Sequence, residues 1–181
     1  MNLPYASLAQ PRGGSAWQQR TVRSTNVAIA GAGLVRATGT CTEVPALAVV
    51  TEYELTEVAT WIAVRSAFTN GGTTAVTVWV GDVIDHDGAG QRSGVAGHGT
   101  ITTGPGDYAP AGSWIGMTGT DGQLYGIVYD EPGWSAYAAG IWVMSHRQVT
   151  IAPGATFTLA RRIVATAAAR EGSPWAPLDL L

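Results

Sequence analysis

Two stretches of alternating residues on either side of Asn70-Gly71-Gly72 constrain the fold more than any other feature of this sequence. Side chains of a strand point alternately to opposite sides, so every second residue from Val58 to Phe68 would share one face. The three valines from Val76 to Val80 repeat the pattern after the turn. Both stretches are rich in the β-branched and aromatic residues that suit a pleated, half-buried surface. We therefore predict a β-hairpin with a tight turn at Asn70, and an all-β fold.

The chain has 181 residues, a length that suits one domain with a substantial core. The rest of the sequence shows the same organisation. Short runs of strand-forming residues are separated by Gly, Pro, Asn and Asp, which is typical of a sandwich or barrel. We predict an all-β, two-sheet antiparallel β-sandwich. The predicted strands are Thr21–Ala30, Leu34–Thr40, Leu47–Leu55, Val58–Thr69, Thr74–Ile84, Gly97–Thr102, Ser113–Thr118, Gln123–Tyr129, Gly140–Ser145, Gln148–Ile151 and Ala155–Thr166.

Both ends of the chain differ from this pattern. Residues 1–19 form a polar N-terminal arm in this interpretation, residues 20–168 the sandwich domain, and residues 169–181 a C-terminal tail or linker that contains Pro174-Trp175-Ala176-Pro177. Such extended arms are too short to fold alone, and they are apolar enough to dock on a neighbouring chain.

Composition excludes several classes of partner. The net charge is −3, without blocks of like charge, so we expect no nucleic-acid partner. No run reaches the ~18–20 apolar residues of a membrane span, and the N-terminal residues do not resemble a signal peptide, which leaves the localisation unknown.

The single cysteine, Cys41, is expected in a core strand, since free cysteine behaves as a small hydrophobe.

A glycine pair near the N-terminus has two interpretations. Val27 to Val35, with Gly31-Ala32-Gly33 at its centre, resembles the first strand and turn of a dinucleotide-binding fold. However, Arg36 stands where that motif needs a third glycine, and the residues that should begin a helix are β-branched. We therefore predict a hairpin turn here.

Three aspartates lie at the end of the second strand of the predicted hairpin and just after it. Asp82, Asp85 and Asp87 lie close to Gly88, and closely spaced carboxylates on a tight turn are suitable ligands for Ca²⁺. The spacing does not match an EF-hand, so a solvated acidic turn is favoured over a Ca²⁺ site. Ca²⁺ is the only cofactor for which we predict ligands.

Aromatic residues are concentrated between Trp114 and Trp142, among glycines and polar residues. Flat rings stack on the apolar faces of sugars, while neighbouring carboxylates and amides bind the hydroxyl groups. Trp114 and Trp142 fit inward-facing strand positions, so we assign them to the core. The predicted ligand-binding residues are Trp134, Tyr137, Tyr129, Tyr125, Asp121 and Gln123.

Several segments together also resemble a known family. The segments are Thr51-Glu52-Tyr53-Glu54-Leu55, the stretch from Phe68 to Val78 around Asn70-Gly71-Gly72, Gly81-Asp82, Leu124-Tyr125-Gly126-Ile127, and the stretch from Ile151 to Phe157 around Pro153-Gly154. They look like the accessory β-sandwiches of bacterial carbohydrate-active and metallohydrolase proteins, similar to the supersandwich of the galactose mutarotase-like group. The resemblance covers roughly Thr21 to Thr166 and implies a carbohydrate-facing or domain-bracing role, with no catalytic residue carried over.

These observations favour a non-catalytic binding or accessory module with glycan as the leading ligand class. The alternative is a structural subunit of a virion, surface layer or other homo-oligomeric assembly, held to other protein chains through the terminal arms. A third hypothesis is a carboxylate- or metal-dependent hydrolase using Asp121, Asp130 or Glu131, although no constellation with matched spacing supports it.

Overall fold

The computed structural model of the protein describes residues 2–8, 10, 22–55, 57, 59–85, 91–102, 105–109, 112–139 and 142–181. Almost all regular structure in these residues is β. The strands are β1 (Asn2–Ser7), β2 (Val22–Gly31), β3 (Leu34–Cys41), β4 (Leu47–Glu54), β5 (Trp61–Asn70), β6 (Val76–Asp85), β7 (Arg92–Val95), β8 (Gly99–Thr100), β9 (Gly106–Tyr108), β10 (Trp114–Thr118), β11 (Gln123–Tyr129), β12 (Ser135–Ala139), β13 (Trp142–Ile151) and β14 (Thr156–Ala167), and they are followed by a short helix, α1 (Ala176–Asp179).

The strands form two antiparallel sheets, which confirms the predicted all-β two-sheet sandwich. One sheet has the order β1-β6-β13-β12-β9, and the other has the order β2-β3-β4-β5-β14-β11-β10-β7-β8. The main core lies between them and combines residues of both, among them Phe68 and Leu159 from the larger sheet and Val78 and Val80 from the smaller one. The alternation seen in the sequence therefore identified the inward faces correctly.

The connection at Asn70 corrects the predicted hairpin. β5 belongs to the nine-stranded sheet and β6 to the five-stranded sheet, so the chain crosses from one sheet to the other at this turn. The Asn70 side chain stabilises the crossing by donating to the carbonyl oxygens of Thr74 at 2.8 Å and Ile151 at 2.9 Å. Its Oδ1 accepts from the Gly72 amide at 2.9 Å. The Asn70 side chain thus stabilises the connection formed by residues 71–75, while β5 and β6 do not pair with each other.

A second crossing lies beside the first, at Pro153-Gly154 between β13 and β14. The Gly154 amide donates to the Asn70 carbonyl at 2.8 Å, and the Asn70 amide donates to the Ala155 carbonyl at 3.0 Å. Gly154 has a φ of 71°, which glycine adopts without steric cost. The two turns therefore satisfy each other's backbone groups at one end of the sandwich. In contrast, Gly31-Ala32-Gly33 connects β2 and β3 in one sheet, as predicted.

The C-terminal residues cover part of the outer face of the nine-stranded sheet. Trp175 and Leu178 are each 1% exposed and belong to a second apolar cluster with Trp114, whose ring stacks on Trp175 at 5.4 Å. A Cβ on Gly94 would lie 2.3 Å from the Trp175 ring, and one on Gly126 would lie 2.6 Å from Leu178. Glycine is therefore needed where the tail lies flat on the sheet.

The N-terminal residues that we placed in an arm also join the sandwich. Asn2–Ser7 pairs with β6 as an edge strand, and Tyr5, Ala6 and Ser7 are buried. No helix in the described part of the chain is long and apolar enough to cross a membrane.

The inner face of the nine-stranded sheet is only partly covered by the five-stranded sheet. On β14, Leu159 and Arg161 are each 1% exposed, whereas Ala165, on the same face further along, is exposed. On β5, Val64 is 1% exposed and Ile62 is 36% exposed. The end of this inner face that carries Ile62 and Ala165 is therefore not covered by the smaller sheet. We call this end the open shelf, and the β2–β3 turn lies there.

Candidate ligand-binding site

Three of the predicted ligand-binding residues lie together on this open shelf, at the start of β11. The Asp121-Gly122 turn joins β10 to β11, and Gly122 has a φ of 78°. Asp121 Oδ1 accepts a hydrogen bond from the backbone amide of Gln123 at 3.2 Å, and this bond closes the turn. Gln123 and Tyr125 then share one face, because they are two residues apart on a strand.

The arrangement leaves an open depression beside the Tyr125 ring. Tyr125 is 46% exposed, and its hydroxyl donates to the Gln123 Oε1. Ala165 and Ala167 pair in register with Tyr125 and Gln123, and their small side chains leave room between the strands. The depression measures about 360 Å³ and is lined by Asp121, Gly122, Gln123, Tyr125 and residues 165–167. It offers one ring, one amide and one carboxylate to a small polar ligand.

Tyr129 and Trp134 lie elsewhere, in the interior. They are 2% and 3% exposed and stack on each other with ring centroids 4.5 Å apart. The Arg147 guanidinium lies 5.9 Å from the centroid of the Trp134 ring and pairs with Glu131 at 3.0 Å. As placed, these rings contribute to the core rather than to the open shelf.

Tyr137 occupies a third position, on the outer face of the five-stranded sheet. Its ring stacks on Trp142 at 5.2 Å and packs on a small apolar cluster that includes Val83 and Met144. The six predicted residues therefore separate into three groups, and only Asp121, Gln123 and Tyr125 surround the depression.

The predicted calcium ligands are also separated. Asp82 is fully buried between the sheets, whereas Asp85 ends β6 and is half-buried. Asp87 lies outside the described residues. Within the described ranges, no three His, Cys, Asp or Glu side chains are grouped so that they could hold a metal ion. A calcium site at these aspartates stays a prediction.

Asp82 instead takes part in a buried charge pair between the two sheets that we did not predict. Arg161 Nε lies 2.7 Å from Asp82 Oδ2, and both side chains are fully buried. Arg161 Nη1 also donates to Ser66 Oγ at 3.0 Å and to the Leu159 carbonyl at 3.2 Å. The pair therefore connects β6 of the smaller sheet to β14 of the larger one.

Three hydroxyl groups extend this network. The Tyr129 hydroxyl donates to Asp82 Oδ2 at 3.3 Å and also contacts Ser145 Oγ. The Tyr5 hydroxyl donates to the Ser145 carbonyl at 2.6 Å, and the Asp82 amide donates to Ser145 Oγ at 3.1 Å. A buried charge is costly unless it is paired and hydrogen-bonded, and these contacts offset part of that cost. Among the described residues, Asp82 Oδ1 and Arg161 Nη2 have no hydrogen-bond partner.

Burial changes the proton affinity of this network. It raises the pKa of the Asp82 carboxyl, and the nearby Arg161 guanidinium opposes the shift. Burial also raises the pKa of Tyr129 well above its ordinary value, and the negative charge of Asp82 adds to the effect. Tyr129 is therefore held in its neutral form, in which its hydroxyl can donate to the carboxylate.

The sequence contained a signal for this pair. Asp82 continues the even-numbered series of Val76, Val78 and Val80, so its parity directs it inward with the valines. Arg161 likewise has the inward parity of Leu159 on β14. Two opposite charges at inward positions of different strands predict a buried pair, although the sequence does not show that β6 and β14 face each other.

Comparison with known proteins supports the fold assignment. No protein-family model matches the chain, and no curated protein matches it. Solved structures do match. A putative aldose 1-epimerase from Escherichia coli K12 has a TM-score of 0.55 and 10% identity, over 92% of this chain and 84% of that one.

Other similar structures belong to longer proteins. The α-galactosidase from Lactobacillus brevis has a TM-score of 0.53 and 11% identity over 92% of this chain, which corresponds to 26% of the enzyme. A TPR-domain containing protein from Parabacteroides distasonis has a TM-score of 0.59 and 13% identity, over 90% of this chain and 37% of that one. At these identities the likeness concerns the fold, and it agrees with the β-sandwich resemblance read from the sequence.

Proposed function

We propose that this chain is a non-catalytic binding or accessory β-sandwich module and that its ligands are glycans. The observation that carries the proposal is the open depression where the Tyr125 ring, the Gln123 amide and the Asp121 carboxylate converge. A sugar presents an apolar C–H face for the ring and hydroxyl groups for the polar side chains, so this combination suits it.

Two further observations support the proposal. The sandwich is similar to parts of an α-galactosidase and to a putative aldose 1-epimerase, both of which are named for sugar substrates. The tail residues Trp175 and Leu178 pack on the chain's own sheet, which favours a binding module over a subunit whose tail clasps a neighbour.

The shape of the site sets the expected affinity. The depression is shallow and has one half-exposed ring, so it can cover one face of a terminal sugar unit. We expect dissociation constants of about 0.1–10 mM for monosaccharides or short oligosaccharides, because little surface is buried and no group encloses the ligand.

A glycan array on the full chain, followed by calorimetric titration of each glycan bound, tests the proposal. Tyr125→Ala should weaken binding about 5-fold, since a stacking contact contributes ~1 kcal/mol, and Tyr125→Phe should keep the affinity close to that of wild type. Leu180→Ala, at an 87% exposed residue of the C-terminal segment, is the control that should bind like wild type. Absence of binding to every mono- and oligosaccharide titrated up to about 50 mM, or unchanged affinity in Tyr125→Ala, contradicts the proposal.

A further inference from the structure

The sheet edges of this protein differ in how well they are protected. A free edge presents unpaired N–H and C=O groups, and proteins commonly block such edges with short strands, charges, proline or bulges. In the described part of the chain, β8 has two residues and β9 has three, including the exposed Asp107. β1 contains Pro4, which has no N–H, and its residues from Pro4 to Ser7 are buried.

β2 differs from these edges in length, exposure and composition. It is ten residues long, forms one end of the nine-stranded sheet, and is exposed from Arg23 to Gly31. The sequence from Ser24 to Val35 contains neither charge nor proline. Val27 and Ile29 are 62% and 86% exposed. Nothing in its composition opposes the addition of another strand.

The inner face beside this edge is apolar as well. Val27 and Ile29 pair with Ala37 and Val35 of β3, and Val35 is 37% exposed. The apolar surface therefore continues from the β2 edge onto the next strand of the shelf. A strand added at β2 would extend both the backbone pairing and this surface.

We propose that β2 pairs antiparallel with β2 of a second copy of this chain, so that the nine-stranded sheets become continuous across a two-fold axis. Opposing residues of such a pair must share a face, which restricts the symmetric registers. The register centred on Ala28 places Val27 of each copy opposite Ile29 of the other, and Asn26 opposite Ala30. The same surface is self-complementary, as a two-fold interface requires.

Charge and local geometry set the strength of this interface. The register brings no like charges together, because the residues from Ser24 to Val35 carry no charge. Register irregularities between Ser24 and Asn26 and between Ile29 and Gly31 limit regular pairing in this register to residues 27–29 of each copy. A short paired segment predicts weak association, with a dissociation constant of about 10–500 µM.

Sedimentation of the full chain over about 10 µM to 1 mM tests the proposal, spanning the range expected for a weak dimer. Wild type should shift from one to two chain masses. Ile29→Lys places positive charges near each other at the pairing strands and should raise the dissociation constant at least about 10-fold. Leu180→Lys is the matched control, because Leu180 is 87% exposed, Ile29 is 86% exposed, and both changes add the same charge. It should associate like wild type.

Hydrogen exchange separates edge pairing from packing of the apolar faces. Pairing should protect those backbone amides of residues 27–29 that point away from β3 as concentration rises, whereas face packing would leave them unprotected. A monomer at every concentration overturns the proposal. So does a dimer that Ile29→Lys leaves unchanged, or one in which β2 amides exchange as fast as in the monomer.

Discussion

The covered and open ends of the nine-stranded sheet differ sharply although they use the same strands and the same face. On β11, Tyr129 is 2% exposed and hydrogen-bonded in the buried network, whereas Tyr125, four residues earlier on the same face, is 46% exposed. On β14, Arg161 is fully buried against Asp82, while Ala165 is exposed. The difference depends on whether the five-stranded sheet lies opposite.

The face of the sheet on which a side chain lies and the burial of that side chain are therefore separate properties. Parity follows from the strand itself, but burial requires a second layer. The covered end can therefore hold an ion pair away from water, and the open end can keep a ring and an apolar strand edge exposed. Substitutions of similar chemistry should therefore have very different effects at the two ends.

The largest expected effect is on the buried ion pair. Asp82→Ala leaves the Arg161 guanidinium buried without its carboxylate and should lower the free energy of unfolding by about 3–5 kcal/mol at neutral pH. Urea unfolding measures this loss. Glu54→Ala, an exposed carboxylate at the open end of β4, is the control and should change it by less than ~0.5 kcal/mol.

A double variant sharpens the same test. Asp82→Leu combined with Arg161→Met removes both charges and fills the interior with apolar groups, so it should be more stable than Asp82→Ala. If Asp82→Ala unfolds at the same urea concentration as wild type, the pair does not hold the two sheets together.

A smaller effect should appear at alkaline pH. Tyr129 keeps its proton in the folded protein because its pKa is raised well above the ordinary value, whereas an unfolded tyrosine ionises near pH ~10. The unfolded state then binds fewer protons than the folded state, so stability should fall above about pH 10, by up to ~1.4 kcal/mol per pH unit for this residue.

Thermal or urea unfolding between about pH 8 and pH 11 would measure that slope. Tyr129→Phe removes the group and should give a shallower decline, whatever its stability at neutral pH. An identical slope in the two proteins would show that Tyr129 ionises normally in the folded state.

The smallest expected effect is on the open shelf. Tyr125→Ala removes a ring that is 46% exposed and lies outside the main core cluster, so the free energy of unfolding should change by less than about 0.5 kcal/mol. Calorimetric unfolding checks this value. A loss as large as that of Asp82→Ala would mean that the shelf is part of the folding core.

Local patterns predicted much of this structure. The valines at 76, 78 and 80 do face the core, and the glycine turns at Gly31-Ala32-Gly33 and Asp121-Gly122 do connect neighbouring strands of one sheet. The same turn chemistry at Asn70 gave the wrong partner for β5, because a tight turn fixes a change of chain direction and not the sheet that the next strand joins. Pairing of β5 with β14 depends on residues almost a hundred positions apart.

The candidate site was predictable only in part, because the sequence does not show which aromatic rings meet in the interior. Asp121, Gln123 and Tyr125 lie on one turn and one strand, so their proximity is local. Tyr129 and Trp134 belong to the same run of aromatic residues, but they meet each other in the interior. Sequence spacing could not distinguish the two groups, since both contain rings at suitable strand positions.

Local sequence patterns predicted the longer strands β2 to β6, β10, β11, β13 and β14, and which of their side chains share a face, because these properties depend on neighbours within a few positions. They did not predict β1, β7, β9 and β12. Only the tertiary structure decided which sheet each strand joins, how far one sheet covers the other, and therefore that Asp82 meets Arg161 while Tyr125 and β2 remain exposed. Those outcomes depend on contacts between distant segments, and no local pattern contains them.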